Sequence, residues 1–157
     1  AAVASLAGGG IFGVELFAMP DGSVLLNEIA PRPHNSGHYT LDASMTEQHE
    51  QHLRAVLGLP LGSPDLKVPA VGMLNVIGSK DGELSTTLRP VAKALAMPQA
   101  SVHWYGKSPP KAKRKMGHLN VVAESAAAAE AALLSLQARR SHLPCTSLAP
   151  PLHLPCT

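Results

Sequence analysis

The chain has 157 residues, of which 45% are hydrophobic and only 3% aromatic, with a formal net charge of +2. That length allows one domain or two small ones around a core of Val, Leu, Ile, Met and Ala, and the charge is too small to imply a polyanionic partner. No run approaches the ~18 apolar residues of a membrane span, the first residue is not Met, and no signal-type leader opens the chain; an interior piece of a longer chain is expected.

Ala1 to Ala7 reads as the end of a helix stopped by Gly8-Gly9-Gly10. Two apolar runs follow, Ile11 to Phe17 and Val24 to Ile29, on either side of Pro20-Asp21-Gly22-Ser23. An Asp-Gly between strand-like runs predicts a hairpin. With Asp21-Gly22 as its tip, paired residues have numbers summing to 43, and Glu15 faces Glu28. Like charges at directly opposed positions are unfavourable. Such a pair is either solvated or shares a cation, and Mg²⁺ suits two carboxylates completed by phosphate oxygens. Asn27 is expected to add an amide oxygen on the opposite face of the hairpin.

Pro31 and Pro33 end the second strand. Beyond them Arg32, His34, Asn35, Ser36 and His38 crowd one polar loop around Gly37, which reads as a binding surface. A helix is expected from Thr40 to about Leu57, stopped by Gly58, with Leu41, Met45, Leu53, Val56 and Leu57 facing inward. His49 and His52 on it are three apart, not the four of a zinc-protease motif, so they are expected as solvated or capping groups.

Leu59 to Leu66 reads as a linker. Strands are expected at Val68 to Ile77, starting at an edge because of Pro69, at Ser101 to Tyr105 and at His118 to Ala123. A short helix is expected over Leu88 to Leu95, beginning near Pro90, and an alanine-rich one over Ala126 to Gln137, started by Ser125. Five basic residues, Lys107, Lys111, Lys113, Arg114 and Lys115, fall in the loop before the last strand. Charge confined to one loop with few aromatics suits a phosphorylated small molecule better than nucleic acid. After Arg140, His142-Leu143-Pro144-Cys145-Thr146 recurs as His153-Leu154-Pro155-Cys156-Thr157. Neither copy has zinc-site spacing, so a disordered tail in a reducing compartment is expected.

Gly10-Ile11-Phe12-Gly13-Val14-Glu15-Leu16-Phe17 and Asn27-Glu28-Ile29-Ala30-Pro31-Arg32-Pro33-His34-Asn35-Ser36-Gly37-His38 closely resemble the end of the ATP-grasp domain of the N5-carboxyaminoimidazole ribonucleotide synthetase family. Tyr105-Gly106-Lys107 and Arg114-Lys115-Met116-Gly117-His118 resemble the same family's C-terminal domain, and the likeness runs to about Val122. The resemblance implies an α+β chain: residues 1–58 end an ATP-grasp domain, 59–66 link, 67–138 form a small α+β C-terminal domain, and 139–157 are the tail. It implies ATP- and Mg²⁺-dependent carboxylation of 5-aminoimidazole ribonucleotide by bicarbonate, in purine biosynthesis. Glu15 and Glu28 would hold the metal, and Asn27 and Glu28 the nucleotide. Arg32 and His34 would be catalytic. The substrate would meet Arg32, His34, Asn35, Ser36, Lys107, Arg114 and Lys115. The implied partners are these small molecules, a mutase part fused or associated, and a second copy in a homodimer of the full-length enzyme, with neither nucleic acid nor membrane. The implied compartment is the cytoplasm, or a plastid in a photosynthetic eukaryote. The chain alone is expected to be inactive. Two other classes stay open: another ATP-grasp ligase, and a non-catalytic module that binds phosphate or nucleic acid through the basic loop.

Overall fold

A computed structural model describes residues 2–138; the tail expected after Ala138 lies outside the described residues. It is α+β: a two-stranded hairpin, β1 (Gly13–Ala18) and β2 (Val24–Ala30), precedes an antiparallel sheet of three strands. The hairpin tip is a three-residue loop, Pro20 to Gly22. Gly22 N–H donates to Met19 O over 3.0 Å, and Met19 N–H donates to Ser23 O over 2.9 Å. Gly22 takes φ +82°, a left-handed conformation that glycine adopts without strain. Pairs near the tip are therefore Ala18 with Val24 and Leu16 with Leu26, one residue out of the expected register. A bulge at Asn27 then restores it, and Glu15 does face Glu28.

The expected helix from Thr40 to Leu57 is broken in two, α1 (Thr40–Ala43) and α2 (Gln48–Val56). Between them Met45 N–H donates to Asp65 O (2.8 Å), Thr46 N–H donates to Ser63 O (3.0 Å), and Ser44 bridges Leu66. The expected linker thus pairs with the break. Glu47 restarts the helix, its carboxylate accepting from the N–H groups of His49 and Glu50 at 2.8 Å each. Gly58, φ +67°, ends it: Gly58 N–H donates to Ala55 O and Leu59 N–H to Arg54 O, both orphan carbonyls of the last turns. The inward stripe is corrected, since Met45, Leu53, Val56 and Leu57 are exposed, as are Leu16, Phe17 and Leu26 of the hairpin.

The second sheet runs β3 (Ala70–Ile77), β5 (Lys115–Ala123), β4 (Ala100–Trp104), with β3 at an edge as Pro69 requires. Between β3 and β4 lie α3 (Leu84–Thr87) and α4 (Arg89–Ala94), and α5 (Ala126–Gln137) follows β5. Alternation along β5 separates two faces. Leu119 and Val121 pack with Val76, Met116, Val91, Ala94 and Leu136 in the core beneath α4 and α5, while His118 and Asn120 point the other way. Ser125 caps α5 by accepting from Ala128 N–H at 3.2 Å. Its other end is capped from α4, Lys93 Nζ donating to Ser135 O (2.7 Å) and Ala138 O (2.6 Å). Among the described residues no helix is long and apolar enough to cross a membrane.

Candidate active site

The hairpin base carries the first group. A carboxylate oxygen each from Glu15 and Glu28 and a ring nitrogen of His34 lie within 4.8 Å of one another. His34 Nε2 stands 3.4 Å from Glu15 Oε1. Its Nδ1 accepts from Ser36 N–H (3.4 Å) and faces Ser36 Oγ (2.8 Å), which leaves the ring proton on Nε2, directed at Glu15. Asn27, expected on the far face, is the bulged residue, and its Nδ2 donates to Glu15 Oε2 over 3.2 Å. The extra residue turns this side chain to the Glu15 side, where its NH₂ orients a carboxylate instead of offering an oxygen. Two exposed, hard carboxylates fit Mg²⁺; the imidazole nitrogen suits that ion poorly, so His34 orients Glu15.

Gly13 permits this arrangement. A Cβ placed there would stand 2.7 Å from Cβ and Cγ of His34. Gly13→Ala should therefore push the ring off Glu15 while the hairpin still forms. A ¹H–¹⁵N spectrum of the histidine rings should show the His34 Nε2–H signal moving, and an unmoved signal would show that the contact tolerates a methyl group.

The polar loop is tied to its surroundings by two amides that the sequence reading did not single out. Gln48, buried at the start of α2, accepts from His34 N–H (2.9 Å) through Oε1 and reaches Nδ1 of His38 (2.8 Å) through Nε2. Asn75 of β3 pairs reciprocally with Asn35, Nδ2 to Oδ1, at 2.8 and 3.1 Å. Arg32 remains exposed and donates to Pro33 O over 3.1 Å.

Behind the loop lies a stack of imidazoles. His49, His38, His118 and His103 follow one another with centroid separations of 5.9, 4.9 and 4.4 Å, all near parallel. The register places Asn75, His118 and His103 in one row across the sheet, facing the loop. Asp42 of α1 accepts from His103 Nε2 (2.8 Å) and from Asn120 Nδ2, and Asn120 Nδ2 also donates to His38 O (3.1 Å). Burial works to raise the Asp42 pKa, but hydrogen bonds from Asn120, His103 and Ser101 outweigh it and hold the carboxyl below its ordinary value. Tyr105 O–H contacts His118 Nδ1 at 2.8 Å, and burial pushes the phenol up. Burial first, then the charges of His103 and His38, take the His118 pKa down to about 4. His118 Nε2 and Asn120 Oδ1 are sealed from solvent without a partner among the described residues.

The basic cluster is divided. Lys115 belongs to β5, and its charge helps to lower the His38 pKa, after burial and His49. Lys107 Nζ lies 5.0 Å from the Tyr105 ring centre and donates to Lys115 O over 3.0 Å. Arg114 turns back on its own loop, donating to Ser108 O and Pro109 O at 3.3 Å each. His38 of the first resembling phrase stacks on His118 of the second at 4.9 Å, so the two phrases meet there.

Residues 1–49 match the ATP-grasp domain and residues 71–132 the phosphoribosylaminoimidazole carboxylase C-terminal domain. A chloroplastic phosphoribosylaminoimidazole carboxylase of Vigna aconitifolia is 48% identical over 137 residues, covering 86% of this chain and 25% of the relative. The N5-carboxyaminoimidazole ribonucleotide synthase of Aquifex aeolicus is 47% identical over 116 residues, covering 74% and 30%. The crystal structure of the Aspergillus clavatus N5-carboxyaminoimidazole synthase with ADP and 5-aminoimidazole ribonucleotide superposes with a TM-score of 0.80 at 43% identity, covering 87% of this chain and 36% of that one. The hairpin and the polar loop thus lie within the stretch that matches the ATP-grasp domain. More particularly, over most of its length it is similar to phosphoribosylaminoimidazole carboxylases and N5-carboxyaminoimidazole ribonucleotide synthases. It spans about a quarter to a third of the length of these relatives.

Proposed function

We propose that this chain supplies the metal-binding hairpin, the reacting loop and the substrate-phosphate face of an enzyme that carboxylates 5-aminoimidazole ribonucleotide at the expense of ATP. The observation that carries the reading is the meeting of Glu15, Glu28 and His34 at the hairpin base. Glu15 and Glu28 would hold Mg²⁺, which when bound neutralises charge on the ATP phosphates during phosphoryl transfer. Asn27 and His34 would keep Glu15 aimed.

In the reaction proposed, a bicarbonate oxygen attacks the γ-phosphorus and ADP leaves. The exocyclic amine of the ribonucleotide then takes the carboxyl group, losing a proton and releasing phosphate. Arg32, with a planar donor fork, would hold and orient the bicarbonate beside the Glu15–His34 pair. Asn35, fixed by Asn75, and Ser36, fixed on His34, would set the loop's shape. Lys107 and Lys115 would meet the ribonucleotide phosphate, and Arg114 would act through the loop whose carbonyls it binds.

A direct test is a chimera in which residues 2–138 replace the matching part of the Aspergillus clavatus synthase. It should release ADP when bicarbonate and 5-aminoimidazole ribonucleotide are both present. A folded chimera that releases none would overturn the reading. In the same chimera Lys115→Ala should raise the ribonucleotide KM about 10- to 100-fold, the loss of one charge-assisted hydrogen bond, with the ATP KM unchanged. Equal rises in both would refute that placement of the phosphate.

A further inference from the structure

Gln48 is 4% exposed, and its amide ends between the two histidines of the polar loop. The atom facing His34 is met by a backbone N–H, which can only donate, so that atom is the oxygen. The other end is then the NH₂, which has no lone pair to offer, and it stands 2.8 Å from His38 Nδ1. Nδ1 must accept, and the proton of a neutral His38 must sit on Nε2. Among the described residues His38 Nε2 has no hydrogen-bond partner, yet it is not sealed from solvent.

The surroundings favour the uncharged ring. His49 of α2 and His118 of β5 stack on its two sides, and Tyr105 meets it edge-on at 6.2 Å. Any charge on His49, then that of Lys115 of β5 and any on His103 of β4 and His34 of the same loop, opposes a charge on His38, while Asp42 of α1 is turned to His103 and Asn120. Burial first, and these charges second, lower the His38 pKa. Gly37 holds the geometry close: a Cβ there would stand 2.5 Å from Gln48 Oε1.

We propose that Gln48 is a positioning residue that holds His38 as the uncharged Nε2–H tautomer, so that the loop offers an oxyanion a neutral N–H donor and not an acid. The second half of that statement rests on the carboxylation reading. A mixed anhydride of carbonate and phosphate breaks down once its bridging oxygen is protonated. A neutral N–H can hold such an anion without delivering the proton that destroys it.

The test is nuclear magnetic resonance of the whole chain, with long-range ¹H–¹⁵N correlations of the histidine rings as a function of pH. Wild-type His38 should show a pyrrole-type Nε2 and a pyridine-type Nδ1, and should titrate below its ordinary value of about 6.5. Gln48→Glu keeps an acceptor for His34 N–H but puts an anionic oxygen on Nδ1. His38 should then carry protons on both nitrogens at neutral pH and titrate at least one pH unit higher than in the wild type. A proton on Nδ1 in the neutral wild-type ring would overturn the proposal without recourse to any variant. An unchanged His38 titration in a folded Gln48→Glu chain would overturn it as well. A merely structural glutamine would change the melting temperature and leave the tautomer alone. The measurement needs neither ATP nor turnover, so it stands or falls apart from the carboxylation assay.

Discussion

Glu28→Gln in the chimera should cut carboxylation about 100- to 1000-fold, the loss of several kcal/mol of charge neutralisation in phosphoryl transfer. Folding should hardly suffer. Glu28 is exposed and faces Glu15 across the hairpin, so removing one carboxylate relieves a repulsion while the ladder stays intact. The melting temperature should therefore stay level or rise slightly as activity collapses. Mn²⁺, whose bound form is visible by electron paramagnetic resonance, offers a second readout: it should bind the wild type in the presence of ATP and bind Glu28→Gln much more weakly. Wild-type turnover in the variant would leave the pair as two solvated glutamates on a surface hairpin.

That pair was legible in the sequence for a partly fortunate reason. A two-residue Asp21-Gly22 tip predicts Glu15 opposite Glu28. The real loop is one residue longer, which alone would have shifted the register, and the bulge at Asn27 shifts it back. Bulges leave little trace in composition, so neither departure could be read, and Asn27 was consequently assigned to the wrong face. The strands of the second sheet were legible to within a few residues, because their apolar runs are bounded by Pro69, Gly78 and the basic loop. The cap at Ser125 was legible too.

The helix from Thr40 to Leu57 was misread because periodicity and propensity carry straight through Ser44 to Thr46. What breaks it is tertiary: backbone groups of residues 63–66 offer those residues a partner. The inward stripe failed with it, since α2 buries Gln48 and leaves Leu53 and Val56 exposed. His52 illustrates the same limit in reverse. As a helix-flank polar group it was expected to cap or to be solvated, and its Nδ1 accepts from Ile11 N–H at 3.2 Å, tying α2 to the hairpin's approach. Asp42 with His103 and His38 with His118 are contacts between residues far apart in the chain. No spacing rule reaches that far, so the partly buried polar row on the sheet was invisible until the sheet's register brought it together.

That row should make the fold sensitive to mild acid. His118 is 1% exposed, and its pKa falls to about 4 in the folded chain, against about 6.5 when unfolded. Above pH 6.5 the ring is neutral in both states and contributes no pH dependence. Between 6.5 and 4 the unfolded chain takes up a proton that the folded chain refuses, so stability falls as pH falls, and below 4 the term is constant. At pH 5 the loss amounts to about 2 kcal/mol relative to pH 7.5. His38, whose pKa is also lowered by burial, adds in the same direction. Asp42 acts elsewhere: its depressed pKa contributes stability that is retained above its ordinary value of 3.8 and lost only as pH falls through the lower folded value. Urea denaturation at pH 7.5 and pH 5 should therefore show a drop of about 2 kcal/mol or more in the wild type. In His118→Gln, which keeps a hydrogen-bonding group beside Tyr105 but cannot titrate, about 2 kcal/mol of that drop should vanish. Equal wild-type stability at the two pH values, or the same drop in the glutamine variant, would show that the buried imidazole is charged in the folded chain and that the stack is held together in some other way.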